Sequence, residues 1–249
     1  PLIFNRILPP KPAVERQGVI LVGIGELTTM LAQRLEQTNE KVTIVGCDRE
    51  REDCNPERGE RLRSLGYSVV IGDPTSAAVL EAAGAAKAAA LIAVSTYPDV
   101  NLTVCQIAGG AFGIPSLISL TREPDVAAQM AEIGVRVVQP QMATAYALEG
   151  ALHFPAAFDM LTDHADGIEV REVELSSRRW SGKRVREITL PGNALILGLR
   201  RKGEVLVPDG NTKLQRGDLL MLVGHPDALQ SAIVLLSQMR MNQPIAAGK

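Results

Sequence analysis

Charge of one sign is missing from this sequence. Its 249 residues carry 26 Lys and Arg against 28 Asp and Glu, a formal net charge of −2, so no whole-chain field points to nucleic acid. Long apolar runs are missing as well: no uncharged stretch approaches the ~20 residues of a bilayer-spanning helix. Histidine is scarce, and His153, His164 and His225 stand at no metal-ligand spacing from one another or from cysteine. Cys47, Cys54 and Cys105 are odd in number, which reads as reduced thiols rather than a disulfide framework. Neither a Gly-x-Ser-x-Gly elbow nor a Walker phosphate loop occurs. What remains is a chain with 46% hydrophobic residues, globular rather than disordered and long enough for two modest domains.

The most informative stretch runs from Gly18 to Leu31. Val19–Val22 is a continuous apolar run that suits a strand buried on both faces of a parallel sheet. Gly23-Ile24-Gly25-Glu26-Leu27 follows at once, and Leu27, Met30, Leu31 and Leu35 recur at helical spacing. A strand, a tight glycine turn and a helix make the phosphate-binding unit of a dinucleotide fold. Gly23 allows the turn, Gly25 lets the backbone approach a pyrophosphate, and the helix start offers N–H groups and a partial positive charge. Thr28 replaces a third glycine, so helix and strand are expected slightly further apart. The two-glycine pattern alone also fits a turn that binds nothing, and the following repeats decide between the readings.

Strands and helices alternate from there on. The apolar runs Val42–Val45, Ser68–Ile71, Ala89–Val94, Leu117–Leu120 and Val135–Val138 read as five further strands. Helices are expected over Glu50–Leu65, from Pro74 to Gly84, through Asn101 to Gly110, and over Asp125–Ile133. In Gly72-Asp73-Pro74-Thr75, Asp73 is placed to cap the third helix, with Pro74 in its first turn. The pattern is that of an α/β, Rossmann-like, doubly wound parallel sheet. Such sheets bind ligands at the carboxyl ends of their strands. Gly23, Asp48, Gly72-Asp73 and Ser95-Thr96 all fall on that edge, which favours a binding site over an idle turn.

The flanks differ in character. Residues 1–17 are an apolar stub running into a proline-rich linker, read either as a tail or as a tether from a membrane segment. Residues 141–164 are expected to form a helix, a break at Pro155 and a second helix, a crossover that either packs on the first domain or clasps a partner subunit. Two of the chain's four Phe, Phe154 and Phe158, lie there with Leu161. From 167 to 239 the periodicity becomes two, with strands around Val170–Leu175, Ala194–Leu199, Val205–Val207 and Leu219–Val223 and a closing helix from Pro226 to Met239. This is a small α+β C-lobe. Its basic run Arg178 to Arg184, beside the single Trp180, reads as a solvated loop with one anchoring aromatic. Asp159, Asp163, Asp166 and Glu169 likewise read as a solvated face, and no metal site is expected. A dehydrogenase would need a substrate domain with a catalytic acid or base; the second unit offers no such pair.

Gly18–Leu31, Val70–Thr75, Val94–Leu102 and Ile133–Val135 resemble the N-lobe of an RCK domain, also called a KTN or TrkA-N domain. Residues 168–235 resemble its C-lobe, TrkA-C, above all in Glu172–Leu175, Ser181-Gly182-Lys183, Leu190-Pro191-Gly192, Val207–Thr212 and Gly217-Asp218. The resemblance implies a cytosolic regulatory module, without catalysis, on the inner face of the membrane. Its partner would be a potassium or sodium channel or a cation/proton antiporter, possibly in the same polypeptide. It also implies a homodimer or a higher ring, with Phe154, Phe158 and Leu161 in the dimer interface. An adenine nucleotide (NAD, ATP, ADP or AMP) would be held by Gly23, Ile24, Gly25, Glu26, Leu27, Asp48, Arg49, Gly72, Asp73, Pro74, Ser95, Thr96 and Asn101. Residues 1–10 look like the exit from an antiporter's last membrane helix. Rival readings are an NAD-dependent oxidoreductase and a constitutive assembly module with a vestigial nucleotide site.

Three departures from the family pattern matter. Thr28 is one. Leu120 and Arg122 stand where some channel members carry calcium-binding carboxylates, so no calcium site is expected. Gly46 stands where many members carry the acid that holds the adenosine ribose, leaving Asp48 and Arg49 two and three positions on. If Asp48 turns inward, the site prefers NAD, ADP or ATP; if Asp48 caps the helix, Arg49 faces the adenosine and tolerates a 2′-phosphate. The reading adopted is Asp48 and an unphosphorylated 2′-hydroxyl.

Overall fold

The computed structural model describes residues 16–47, 56–162 and 167–237. The chain separates into two compact units whose boundary falls between Ala145 and Tyr146. The first unit begins with β1 (Val19–Val22), α1 (Glu26–Gln37), β2 (Val42–Gly46) and α2 (Pro56–Ser64). It continues through β3 (Ser68–Ile71), α3 (Ala77–Ala82), β4 (Ala90–Ala93), α4 (Pro98–Gly110), β5 (Ser116–Leu120), α5 (Pro124–Glu132) and β6 (Arg136–Val138). The six strands form one sheet in the order β3-β2-β1-β4-β5-β6, and every pairing is parallel.

The sequence explains this sheet directly. β1 is apolar at every position because both of its faces are covered. Ile20 and Val22 point into a core shared with Leu80 of α3, Val104 of α4 and Met130 of α5. Val19 and Leu21 point the other way, towards Ala32 of α1 and Leu62 of α2, as the two-residue period of a strand requires. In register, Val22 lies opposite Val45 on one side and Ala93 on the other. The carboxyl ends of β1, β2 and β4 therefore lie side by side, and the strand order reverses at β1, where β2 and β4 diverge.

The first-unit elements are those expected, with local corrections. α3 starts at Ala77 with Ser76 as its N-cap residue, so Asp73 does not cap it and Pro74 lies outside it. Asp73 instead folds its carboxylate back: Oδ1 accepts the Thr75 N–H at 2.9 Å and the Thr75 hydroxyl at 2.6 Å. The same residue chemistry serves a cap or a local turn, and here the turn wins. Cys47 is disulfide-bonded, against the expectation of reduced thiols, whereas Cys105 is free and buried. Cys54, Asp163 and Asp166 lie outside the described residues, as do residues 1–15.

After β6 come α6 (Pro140–His153) and α7 (Pro155–Thr162), broken at the expected proline. No residue of α6 is buried. The second unit contains β7 (Glu169–Glu174), a short 3-10 turn (Val185–Glu187), β8 (Leu195–Arg201), β9 (Glu204–Leu206), β10 (Leu219–Gly224) and α8 (Pro226–Ser237). Its four strands form an antiparallel sheet, β7-β10-β8-β9. Val173, Leu199, Leu220 and Leu222 pack against Leu229, Ala232 and Leu236 of α8. Trp180 anchors its loop on this core, with the Arg179 guanidinium 4.6 Å above the ring, as the loop reading expects. No helix among the described residues is long and apolar enough to cross a membrane.

Candidate functional site

The glycine turn after β1 is built by two different constraints. Gly23 has φ +125°, and a Cβ there would come within 3.1 Å of the Ser95 nitrogen and 3.3 Å of the Val94 carbonyl carbon. Both the conformation and the close approach of the β4–α4 loop demand glycine. Gly25 is unlike it. It is the N-cap residue of α1 in a fully extended conformation, φ −158° and ψ −179°, which any residue can adopt. A Cβ on Gly25 would meet nothing within 4 Å. Neither backbone strain nor packing within the protein requires glycine at 25, and the open space lies at the start of a helix, where N–H groups lack intrahelical acceptors. That arrangement fits a phosphate group resting against the backbone.

The carboxyl edge brings most of the expected residues together and reassigns some. Ser95 and exposed Thr96 lie across from Gly23 in the β4–α4 loop. With Pro98, Thr121 and Arg122 they line a groove of about 280 Å³. Gly72 is tied to β2 through its N–H, which donates to the Gly46 carbonyl at 2.9 Å, and Pro74 is buried beside it. Asn101 is a correction. It is fully buried, its Oδ1 accepts the Ser95 N–H at 3.1 Å and the Ser95 hydroxyl at 2.8 Å, and its Nδ2 donates to the carbonyls of Ser95 and Leu120. All its hydrogen-bonding capacity is spent inside the protein, so it shapes the loop and has no polar group left to offer a ligand. Asp48 and Arg49 lie outside the described residues.

A second groove, of about 660 Å³, lies between α1 and α2. Ile24, Gly25, Glu26 and Thr29 form one wall, and Arg58, Arg61, Leu62 and Leu65 the other. Sequence reasoning saw α2 only as a polar helix and missed Arg58 and Arg61, although their three-residue spacing puts them on one helix face. Thr28 is buried between helix and sheet, while Leu27 remains 43% exposed. Cys105 contributes no reactivity: burial pushes its thiol pKa up to about 12, against a hydrogen bond with Ser119. Among the described residues no three His, Cys, Asp or Glu side chains converge as a metal site would require.

On the crossover, Phe154 is 66% exposed and Leu152 75%. Phe158 is only half-exposed, and its Cδ2 lies 3.5 Å from where a Cβ on Gly150 would stand. The Leu161 side chain lies outside the described residues.

Comparison with known proteins places these features in one family. A TrkA-N domain model matches residues 19–140, and a TrkA-C domain model matches residues 170–237. A Trk system potassium uptake protein TrkA from Streptomyces coelicolor is 27% identical over 210 residues, covering 84% of this chain and 91% of that protein. A putative Na⁺/H⁺ antiporter, YjbQ, from Bacillus subtilis is 21% identical over 225 residues, covering 90% of this chain but 35% of its own length. Among solved structures, the GsuK RCK domain is similar with a TM-score of 0.44 at 19% identity, covering 90% of this chain and 47% of that one. With a TrkA-N domain followed by a TrkA-C domain, the chain belongs to the RCK/KTN family.

Proposed function

We propose that this chain is a nucleotide-sensing regulatory module for a membrane cation transporter or channel, and that it binds an adenine nucleotide without transforming it. Residues 18–140 are the nucleotide lobe, 141–164 the dimerisation crossover and 167–239 the C-lobe. The observation that carries the reading is Gly25, a glycine kept where neither conformation nor packing asks for one, facing open space at the start of α1. The N–H groups of that turn hold the phosphates, and Gly23 fixes the distance to the Ser95 loop. Regulation is a population shift: the nucleotide binds one arrangement of the module better, and the partner responds to the difference. A coupling of ~1–3 kcal/mol changes transport several-fold or more. Relatives named as potassium uptake proteins and as an antiporter support a cation-transporting partner; on this reading the module works at the cytoplasmic face of a membrane.

Titration calorimetry with AMP, ADP, ATP and NAD tests the proposal. Saturable binding of at least one, with no hydride exchange when a reduced dinucleotide is supplied, is the expected result. Turnover would make the chain an oxidoreductase. Absence of binding to all four would leave an assembly module with a vestigial site.

A further inference from the structure

In a dinucleotide fold the second strand ends beside the adenosine ribose, and a carboxylate there accepts hydrogen bonds from its hydroxyls. In this chain that place is occupied by hydrocarbon. A Cβ on Gly46 would lie 1.9 Å from Ile24 Cδ1, 2.6 Å from Ile24 Cγ1 and 3.1 Å from Ile71 Cδ1. Ile24 itself is 4% exposed. From above, α2 presses on the same two side chains through a second glycine: a Cβ on Gly59 would come within 2.8 Å of Ile71 Cδ1 and 3.6 Å of Ile24 Cδ1. Ile24 and Ile71, held between Gly46 and Gly59, plug the end of β2. No side chain at position 46 can accept a ribose hydroxyl without displacing Ile24.

Beside the plug, the α1–α2 groove turns cationic. Arg58 and Arg61 line it, one helical turn apart, opposite Gly25 and Glu26. Both are exposed, and neither forms an ion pair among the described residues, whereas Arg63 of the same helix is paired with Glu60. Among the described lining residues Glu26 is the one carboxylate, against the two arginines. Two guanidinium forks lining a groove next to the glycine turn are suited to a second phosphate.

We infer that the α1–α2 groove receives a phosphate monoester carried on the ribose of the bound nucleotide, so that the module reads 2′-phosphorylated adenosine compounds through Arg58 and Arg61. This rests on the nucleotide reading above, and it reverses the expectation of an unphosphorylated 2′-hydroxyl. The apolar plug leaves no room for an acceptor at position 46, and the two cations supply partners for a phosphate on the ribose. The inference depends on the groove walls, not on the helix start alone.

The test is calorimetry on the full chain at fixed ionic strength, comparing adenosine 2′,5′-bisphosphate with AMP, and NADP with NAD. ATP and inorganic phosphate serve as controls for charge placed elsewhere. The phosphorylated member of each pair should bind at least about tenfold more tightly, the worth of one charge-assisted contact. In Arg58→Ala/Arg61→Ala, with thermal melting as the check on folding, that ratio should fall to within about twofold. Equal binding within the pairs of the parent would overturn the inference and leave the nucleotide reading standing. So would an unchanged ratio in the double variant. Removing two cations weakens a more highly charged ligand more by general electrostatics; ATP, whose extra charge lies away from the ribose, is the control for that effect. A gain for ATP over AMP that matches the bisphosphate's and vanishes in the same variant would assign the arginines to terminal phosphates instead. If no adenine compound binds, both readings fall together.

Discussion

The carboxamide of Asn101 closes around Ser95. It accepts the Ser95 N–H at 3.1 Å and returns a donor to the Ser95 carbonyl at 2.9 Å, so a side chain of α4 sets the loop that faces Gly23. Its second amide hydrogen reaches the Leu120 carbonyl at 3.1 Å and ties β5 to the same point. Asn101→Asp would remove two donors, leave two carbonyls without them and bury a carboxylate. A loss of about 3 kcal/mol or more is expected, read as a lowered denaturation midpoint, while Asn101→Ala should lose about 1–3 kcal/mol. An unchanged midpoint in both variants would show that the loop does not depend on this contact.

The fit between Ile24 and Gly46 yields a second expectation. Gly46→Ala puts a methyl group 1.9 Å from Ile24 Cδ1, so Ile24 must leave its position, at about 1–3 kcal/mol. Ile24→Val on its own removes the offending methyl and should lose about 0.5–1.5 kcal/mol. The double variant should be more stable than the sum of the two losses predicts, because one change makes room for the other. Urea denaturation of all four proteins measures the coupling; strict additivity would mean that the two side chains do not compete for this space.

Gly25 is the converse case. Gly25→Asp meets no protein atom and needs no unusual backbone conformation, so thermal stability should stay within about 1 kcal/mol of the parent, as for surface changes generally. The added carboxylate would occupy the space offered to the pyrophosphate and repel it, and adenine-nucleotide binding should be lost. Retained affinity in a folded Gly25→Asp would place the ligand elsewhere.

These contrasts mark how far the sequence could be read. The sheet was legible because each of its strands is a short apolar run and the helices between them carry their own period; Val19–Val22 and Ser68–Ile71 come out with the bounds expected. The glycine turn between β1 and α1 was legible for the same reason, being local. Asn101 was misassigned because a carboxamide after a Ser-Thr loop has the same sequence whether it faces a ligand or the interior, and only burial tells them apart. The Ile24–Gly46–Gly59 plug was invisible, since it joins three elements; Gly46 showed in sequence only as a missing acid and Gly59 not at all. Asp73 was misread because cap and turn use the same local hydrogen bond.

Acid should weaken the second unit through one pair. Asp218 is 1% exposed and is held by Arg201, with Nε–Oδ1 at 2.8 Å and the second nitrogen to Oδ2 at 2.7 Å, while Gln215 N–H donates to Oδ2 at 2.7 Å. Burial alone would raise the Asp218 pKa; the hydrogen bonds from Arg201 and Gln215 and the charge of Arg201 outweigh it and hold the carboxyl below its ordinary value. A folded pKa below the unfolded one contributes stability that is fully present above the unfolded value of about 3.9 and is lost as pH falls through the folded one. Arg201→Met leaves the buried carboxylate without its cation and should lose about 3 kcal/mol at neutral pH. The difference between parent and variant, measured by denaturation from pH 7 to pH 3, should shrink towards the acid end; a constant difference would show that the pair is not what titrates.

Assembly is the last expectation, and it turns on α6 and α7. Tyr146 is 65% exposed, Leu148 68%, Leu152 75% and Phe154 66%, so the helix pair presents large apolar side chains with no cover within the described chain. A helix that is apolar beyond one stripe belongs in an interior, and a second copy of the same crossover supplies one by two-fold symmetry. The chain should therefore be at least a dimer at micromolar concentration. Phe154 and Phe158 should behave differently under truncation. Phe154 is 66% exposed, with the His153 ring centroid 6.3 Å away, so Phe154→Ala should weaken the dimer by about 2 kcal/mol, roughly thirtyfold in Kd, and leave the monomer's melting little changed. Phe158 leans on Gly150, so Phe158→Ala should loosen the helix pair itself and lower stability as well as association. Sedimentation velocity across a concentration series, run beside thermal melts, separates the two effects. A parent that sediments as a monomer at micromolar concentration would remove the dimer from the proposal and leave this apolar surface for the membrane partner.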